Sequence, residues 1–422
     1  MAIRTRLIVY VSLFLAMIGF GITVPVLPFL ARELGAGPIE VSLLVSLFAL
    51  AQFVSGPIWG SLSDRFGRKK LLVAGLLGYS LSFFLSGLSR TVVALVMSRT
   101  LGGLLSASII PSSQALIADL TDLRARGPAM AAMGAWINLG FLFGPALGGL
   151  LSPLGYEFTL FSAGAVVVAT AAIAAACLPD AGAAALTGRA EAGSRDAGPG
   201  PELVPGRASA WPRLSDFIRV ARSPIAPYLS LTFAVSLTGS GLTALLVYFV
   251  IDRFGGTPSD AGLIFATIGL TGALVQGFLT GRLITGLGER RVVLAGALAT
   301  TAGLLALVPA ASLGPVIAAT VLIGLGMSTT RPALTSAVSC LTPLPQGLTM
   351  GVQSSLDSLG RTTGPVLCGW VYGFGLTLPF WMSAATMVVF TAVAGRWSAP
   401  RREVDAPPTR PAPSSNGALL RR

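Results

Sequence analysis

The amino-acid sequence predicts an all-α membrane protein, because its composition is too apolar for a soluble domain. Of 422 residues, 53% are hydrophobic and only 11% are charged, and the mean hydropathy is +0.78. Soluble domains carry charge on about a quarter of their residues. A helix that crosses the hydrocarbon core needs roughly 20 mostly apolar residues, and twelve segments meet this requirement. They are 7–30, 40–62, 70–88, 91–117, 128–151, 157–178, 227–250, 259–285, 291–309, 313–337, 347–373 and 377–395.

The twelve segments fall into two groups of six. Residues 1–178 form a predicted N-terminal six-helix bundle, and residues 223–395 form a C-terminal one. Residues 179–222 between them are rich in Ala, Gly, Pro and Arg without apolar periodicity, which predicts a flexible cytoplasmic linker. The tail, residues 396–422, contains several prolines and is predicted to be disordered.

The second group of segments repeats the first. At an offset of 221 residues Pro111 aligns with Pro332, and near the fifth and eleventh segments the offset becomes 220, so that Gly144 aligns with Gly364. The chain is therefore predicted to contain two parallel six-helix copies related by a pseudo-two-fold axis. In membrane proteins built this way, small-molecule sites lie between the halves near the membrane midplane.

The net charge of +12 is explained by membrane topology rather than by nucleic-acid binding. If both termini are cytoplasmic, 23 of the 29 Lys and Arg residues lie in cytoplasmic segments, and only Arg32, Arg90 and Arg253 lie on the opposite side. Cytoplasmic loops of membrane proteins are enriched in Lys and Arg. We therefore expect both termini inside the cell.

Several kinds of chemistry are disfavoured by the residue types present. The chain has no His, which argues against zinc chemistry and a Ser-His-Asp triad. Cys177, Cys340 and Cys368 are widely spaced in apolar segments, as packing residues are. The only lysines are Lys69 and Lys70, and no G-K-[ST] phosphate loop occurs. We expect no metal, no cofactor and no enzymatic activity.

The most specific pattern lies between the second and third segments. Residues 60–70 read Gly-Ser-Leu-Ser-Asp-Arg-Phe-Gly-Arg-Lys-Lys. A basic anchor at the membrane surface explains the Lys and Arg residues, but it explains neither Asp64 nor the glycines. We expect Gly60 to let a neighbouring helix approach closely, and Asp64 to cap a helix or to pair with an Arg.

The fifth segment carries glycines at a four-residue spacing, Gly140, Gly144 and Gly148, followed by Gly149. Such glycines form a smooth helix face for tight packing, and Pro145 weakens one backbone hydrogen bond. General helix packing explains the glycines alone. The combined Gly-Pro and Gly-Gly spacing is more specific.

These patterns resemble those of the major facilitator superfamily, and within it the twelve-helix drug:proton antiporters, which include tetracycline efflux proteins. The fifth segment is similar to the antiporter motif G-x8-G-x3-G-P-x2-G-G, with Ala131 at the first glycine position. The fourth segment is similar to R-x-x-x-G-x-x-x-A, starting at Arg99. The loop matches the signature G-x-x-x-D-R-x-G-R-[RK]-[RK] at Gly60, Asp64, Arg65, Gly67, Arg68, Lys69 and Lys70.

The resemblance implies roles for these residues. The loop would latch the two halves in the outward-open state, with Asp64 facing the start of the eleventh helix and Arg68 reaching Asp119. Arg99 would take part in proton transfer, and the fifth-segment motif would favour export over import. The alternative for Arg99 is that its side chain snorkels to the nearby membrane surface.

Three further charged residues lie inside the predicted membrane segments: Arg331, Asp357 and Arg361. Asp357 and Arg361 are four residues apart and share a helix face, and Arg331 lies at a similar depth. Two roles stay open for Asp357. It either takes up and releases a proton as the cavity alternates, or serves as a permanent counter-ion for the arginines. Nearby positive charge stabilises the ionised carboxylate and favours the second role.

Other polar and aromatic residues are candidates for the wall of a substrate cavity, although each is also compatible with plain helix packing. They are Gln52, Gln114, Trp136, Asn138, Tyr248, Gln276 and Gln353.

From the resemblance we expect a proton-driven exporter of a hydrophobic or amphiphilic small molecule, acting as a monomer in the plasma (inner) membrane. Its partners would be a small lipophilic substrate, protons and lipid, and not nucleic acid. One alternative is a symporter or facilitator of a sugar or other metabolite; the fifth-segment motif argues against it. Another is a membrane receptor or scaffold, which would not need the loop signature.

Overall fold

A computed structural model describes residues 2–121, 123–178, 219, 223–341 and 346–396. These residues contain fourteen α-helices and no β-strand. The helices α4 and α5 make one membrane span, as do α9 and α10, so that twelve spans result, as the sequence predicts. The helices are α1 (Ala2–Glu33), α2 (Pro38–Phe66), α3 (Arg68–Gly87), α4 (Val92–Ser106), α5 (Ile109–Asp119), α6 (Leu123–Leu151), α7 (Tyr156–Cys177), α8 (Ala226–Phe254), α9 (Pro258–Leu274), α10 (Thr280–Leu287), α11 (Glu289–Leu307), α12 (Leu313–Leu341), α13 (Gln346–Tyr372) and α14 (Leu378–Arg396).

Two of the predicted segments depart from a regular α-helix. The fourth was predicted as continuous, but it is interrupted at residues 107 and 108. Pro111 has no backbone N–H to donate to the carbonyl of Ala107, and the Ser108 hydroxyl donates to the Leu71 carbonyl of α3 at 3.0 Å. The eighth segment contains a π-helical turn, Val275–Leu279. The predicted linker and tail lie outside the described residues, apart from Arg219 and Arg396.

Eleven of the described spans are long and apolar enough to cross a membrane by length and composition. The remaining span, α13, is less apolar because it carries Gln353, Asp357 and Arg361. Polar side chains in a membrane helix face the bundle interior or a water-filled cavity. The composition of α13 therefore indicates which helix borders the interior.

Each half of the chain has its own hydrophobic core. One cluster of buried residues belongs to residues 9–178 and a second to residues 225–394. A third cluster draws on both halves and includes Val26 and Leu30 of α1 with Leu245 and Tyr248 of α8. The first two clusters hold each bundle together, and the third holds the bundles to each other.

The repeat seen in the sequence is present in the packing. In the first half a Cβ atom at Gly140 of α6 would lie 2.7 Å from the carbonyl oxygen of Phe14 in α1. In the second half a Cβ atom at Gly360 of α13 would lie 2.6 Å from the carbonyl oxygen of Phe233 in α8. Only glycine permits backbones to approach so closely, so the first and fifth spans of each half pack in the same way.

The contacts between the halves obey the same symmetry. At one seam a Cβ at Gly149 of α6 would lie 3.1 Å from the Pro258 carbonyl oxygen of α9. At the other seam a Cβ at Gly369 of α13 would lie 3.0 Å from the Pro38 carbonyl oxygen of α2. Gly369 lies 220 positions after Gly149, and Pro38 lies 220 positions before Pro258, so the two contacts are equivalent with the halves exchanged. A pseudo-two-fold axis therefore runs between the bundles.

We call the end of the bundle where α1 ends the seal side, and the end where α1 begins the linker side. The two halves are in contact at the seal side. At the seal side Nη1 of Arg32 lies 2.5 Å from Oδ1 of Asp252, and the Tyr372 hydroxyl donates to Oδ2 of Asp252 at 2.8 Å. The Tyr248 hydroxyl donates to the Ala36 carbonyl at 2.9 Å. These contacts, together with the third cluster, close one end of the space between the halves.

Candidate functional site

Two adjoining cavities share Ser354, one between the halves and one within the second half. The central cavity has a volume of about 450 Å³ and lies between α1–α5 of the first half and α13 of the second. The side pocket has a volume of about 250 Å³ and lies between α8, α12 and α13. Both extend from mid-span toward the linker side, where Pro57, Pro111 and Met350 line them. The cavities thus lie on the linker side of the seal.

The two walls of the central cavity differ in chemistry. The first half contributes aromatic rings, Phe20, Phe48, Phe53 and Tyr79. The second half contributes hydroxyls and a cation from α13, namely Ser354, Ser355, Ser358 and Arg361. The cavity can therefore hold an apolar body on one side and a polar group on the other.

The charged group of the site is formed by Arg331, Asp357 and Arg361. The sequence spacing predicts the contact of Asp357 with Arg361, and Arg331 approaches from α12. Nε of Arg361 lies 3.2 Å from Oδ2 of Asp357, and Nη1 of Arg331 lies 3.9 Å from Oδ1. The Ser236 hydroxyl donates to Oδ1 as well. The arginine side chains are 44% exposed and the Asp357 side chain 28%, although all three residues lie within spans. Asp357 and Arg331 line the side pocket, and Arg361 lines the central cavity.

Arg99 does not snorkel to the surface, because it is only 4% exposed. Its guanidinium carbon lies 4.7 Å from the ring centroid of Phe48 and 5.8 Å from that of Phe83. Neither Nε nor Nη1 has a hydrogen-bond partner among the described residues. Aromatic faces attract a desolvated cation by about 2 kcal/mol, which offsets only part of the desolvation cost. Arg99 is therefore held in an energetically costly position, between the central cavity and the seal.

The glycine motif of α6 lies where the halves meet. A Cβ at Gly144 would lie 2.6 Å from the Gly21 Cα of α1, in the same half. A Cβ at Gly262 of α9, in the other half, would lie 2.7 Å from the Pro145 carbonyl oxygen. Gly148 contacts Ile22. The motif therefore packs α6 against α1 on one face and against α9 on the other.

Only some residues of the loop between α2 and α3 contact other helices in this conformation. Nη1 of Arg68 lies 2.7 Å from Oδ2 of Asp119 and donates to the Ala115 carbonyl at 2.6 Å, which joins α3 to α5. Gly60 was expected to allow a close helix approach, but no atom of the described residues lies within 4 Å of a Cβ at that position. The side chain of Asp64 lies outside the described residues.

The other loop positions set the turn and its surface. Gly67 has φ +95° between α2 and α3 and Gly288 has φ +79° between α10 and α11, so both copies of the loop require glycine at the same repeat position. Arg65 is exposed, with its guanidinium carbon 5.5 Å from the Phe66 ring centroid. Lys69 lies in the first turn of α3.

Two of the seven predicted wall residues line these cavities. Gln52 lines the central cavity and donates to Ser106 at 3.2 Å, and Gln353 lines the side pocket. Tyr248 is only 3% exposed and belongs to the seal instead. The sequence could not predict the position of Tyr248, because its hydroxyl donates a hydrogen bond to a backbone carbonyl of the other half.

The remaining predicted wall residues lie outside the linings of these two cavities. Asn138 of α6 donates to Gln276, which joins the halves in mid-membrane. Trp136 packs edge-to-face on Phe14 at 5.7 Å, and Gln114 is an exposed residue of α5. Ser236 and the aromatic wall were not predicted from the sequence. A hydroxyl and apolar rings carry no signal that separates a cavity wall from ordinary packing.

Comparison with known proteins agrees with this architecture. The sequence profile of the Major Facilitator Superfamily matches residues 9–236 and 228–421. Multidrug resistance protein 1 of Bacillus subtilis (strain 168) is 30% identical over 400 residues, which cover 94% of this chain and 97% of the relative. Quinolone resistance protein NorA of Staphylococcus aureus (strain MSSA476) is 26% identical over 378 residues, 89% of this chain and 92% of the relative.

Solved structures share the fold. The human organic anion transporter MFSD10 (TETRAN) superposes with a TM-score of 0.67 at 24% identity, covering 93% of this chain and 99% of that one. A bacterial homologue of the human lysosomal transporter Spinster, inward-facing and occupied, gives a TM-score of 0.71 at 16% identity, covering 93% and 96%. The fold and the cavity between two repeated bundles define a membrane transporter of the secondary type. The chain belongs to the Major Facilitator Superfamily and is a multi-pass plasma-membrane protein.

Proposed function

We propose that the protein exports hydrophobic or amphiphilic small molecules in exchange for protons, by alternating access. The observation that carries the proposal is a half-aromatic, half-polar cavity between the halves, closed at one end and bordered by Asp357. Relatives named for multidrug and quinolone resistance support the direction of transport. Because both halves of the cavity come from one chain, we propose that a monomer suffices.

The orientation follows from charge. With Lys and Arg enriched in cytoplasmic loops, the linker side, which carries Arg68, Lys69 and Lys70, faces the cytoplasm. The seal side then faces outward, and the conformation is inward-facing. A substrate enters the cavity from the cytoplasm or the inner leaflet and leaves after the seal has opened.

Asp357 is proposed as the group that exchanges the proton. Among the residues that line the two cavities, the other ionisable side chains are Tyr79, Arg331 and Arg361, and a carboxylate is the group of this set that readily gains a proton. The Asp357 carboxylate contacts Arg331 and Arg361 and accepts a hydrogen bond from the Ser236 hydroxyl. A proton from outside breaks the ion pair of Asp357 with Arg361, and the pair re-forms when the proton leaves.

The loop and the glycine motif are proposed to serve the conformational change. Asp64 and Arg65 latch the halves on the cytoplasmic side in the outward-open state, supported by the Arg68–Asp119 pair. The α6 motif keeps α1 and α9 close while the halves rock. Arg99, buried with an incomplete set of partners, is proposed to take part in proton movement.

The test is transport into and out of proteoliposomes with an imposed pH gradient. We expect a lipophilic dye to be moved against its gradient only when protons flow the other way, and Asp357→Asn to lose this coupling. Glu157→Gln is the matched control, because Glu157 pairs with Arg90 outside the cavity. Transport with the proton gradient rather than against it would instead support a symporter, and transport that ignores the gradient would support a facilitator.

A further inference from the structure

The central cavity and the side pocket together are called the transport cavity. The positive and negative charges that line the transport cavity do not sum to zero. Among the described residues that line the central cavity and the side pocket, Arg331 and Arg361 carry two positive charges and Asp357 is the only acid. The described partners of Asp357 are both arginines and Ser236, so its two oxygens are already occupied. The cavity as it stands carries one net positive charge.

The net charge decides which cargo can be enclosed. When the halves close around the cavity, its charges lose water, and an uncompensated charge is costly in such an environment. A cationic cargo raises the net charge to two and has no free carboxylate to bind. An anionic cargo lowers the net charge to zero.

We propose that the cargo is an apolar, preferably aromatic, molecule that carries one anionic group such as a carboxylate or sulfonate, and that Arg361 binds this group. The proposal rests on the export function proposed above and names its substrate class. Arg361 is 44% exposed to the cavity and contacts Asp357 through Nε. A guanidinium presents further N–H donors that match an oxyanion.

The rest of the cavity fits such a cargo. The hydroxyls of Ser354, Ser355 and Ser358 line the same wall as Arg361 and can donate to an oxyanion. The opposite wall, with Phe20 and Phe48, packs against an aromatic body. When the anion takes Arg361, Asp357 keeps Arg331 as its partner, so every charge remains paired.

The same arrangement accounts for coupling to the membrane potential. The cavity loaded with the anion is neutral, and its outward movement is not opposed by an inside-negative potential. The cavity loaded with a proton on Asp357 carries two positive charges, and the potential drives its return. The anion and the proton thus disrupt the same Asp357–Arg361 pair in opposite halves of the cycle.

A pair of ions of nearly equal size and opposite charge tests which sign of charge the cavity prefers, apart from any hydrogen bond to an oxyanion. Binding of tetraphenylborate and of tetraphenylphosphonium is measured on the full chain in nanodiscs of zwitterionic lipid, with empty nanodiscs subtracted. We expect the borate to bind at least tenfold more tightly. Arg361→Gln removes the preference, whereas Arg90→Gln, a change outside the cavity, leaves it intact.

If Arg361→Gln fails to fold, the binding of the two ions to the wild-type protein is still sufficient to test for an anionic cargo. Equal binding, or tighter binding of the phosphonium, overturns the anionic cargo. Asp357→Asn is a second check and strengthens borate binding, because the competing carboxylate is gone. The measurement does not require transport, so a preference for the borate without export in proteoliposomes would refute the export function and leave the anion site standing.

Discussion

Arg32 and Asp252 occupy equivalent positions in the two halves, 220 residues apart, and form an ion pair of 2.5 Å across the pseudo-two-fold axis. Symmetry brings such equivalent residues together only near the axis. The two halves have opposite charges at this position, so the symmetric contact is attractive. This pair, with Tyr372 on the other carboxylate oxygen, is the polar part of the seal.

Neutralising the pair should open the seal. We expect Arg32→Gln to raise, severalfold, the rate at which a membrane-impermeant maleimide labels Thr243→Cys from outside, because Thr243 lines a small cavity beneath the seal. The background replaces the native cysteines by Ser. The exchange Arg32→Asp with Asp252→Arg restores slow labelling, and Arg90→Gln does not change it. Unchanged labelling in Arg32→Gln would show that apolar contacts alone hold the seal.

The packing of α6 on α1 predicts a stability difference between two glycines of one helix. Gly144→Ala places a methyl 2.6 Å from the Gly21 Cα, whereas no atom of the described residues lies within 4 Å of a Cβ at Gly134. Overpacking costs about 1–3 kcal/mol. We expect a clear fall in melting temperature for Gly144→Ala in detergent and none for Gly134→Ala. Equal melting temperatures would argue that α6 can move away from α1 without cost.

Arg99 should be needed for transport but not for stability. Replacing a buried charge by an apolar side chain of similar volume is often neutral or stabilising by about 1–4 kcal/mol. Arg99→Met is therefore expected to keep or raise the melting temperature while proton-coupled transport falls at least tenfold. A lower melting temperature with undiminished transport per folded molecule would make Arg99 a structural residue.

The loop between α2 and α3 should act as a latch in one half only. Asp64→Asn is expected to reduce transport severalfold while the protein stays in the membrane in normal amount, because the charge but not the helix is altered. Thr285 stands at the equivalent position of the second copy, so Thr285→Ala serves as the matched control and should retain transport. Full activity of Asp64→Asn would reduce the loop to a topological anchor.

Replacing one residue of the exposed pair Arg68–Asp119 distinguishes a role in transport from a role in stability. Its side chains are 30% and 44% exposed, and such pairs contribute about 0–1 kcal/mol. Asp119→Asn should therefore leave the melting temperature within a degree or two while transport is reduced. A large loss of stability would indicate that the pair mainly holds α3 to α5.

Much of this protein follows from local sequence patterns. Twelve apolar segments fix the number of spans, since any such stretch lowers its free energy by entering lipid. The offset of 220 to 221 residues fixes the repeated packing, and the i, i+4 spacing fixes the contact between Asp357 and Arg361.

Only the tertiary structure decided which polar residues face the cavity. Tyr248, Asn138 and Gln276 are polar residues within spans, yet they join the halves instead of lining the cavities. Arg99 is buried rather than snorkelling, because rings from α2 and α3 surround it. Which side of a helix faces the cavity depends on the helices packed around it. That packing is determined by residues far apart in the chain, so a local sequence pattern does not reveal it. The sequence alone determined the spans, the repeat and the charges within the membrane; the packing of the helices decided which polar residues line the cavities and which join the two halves.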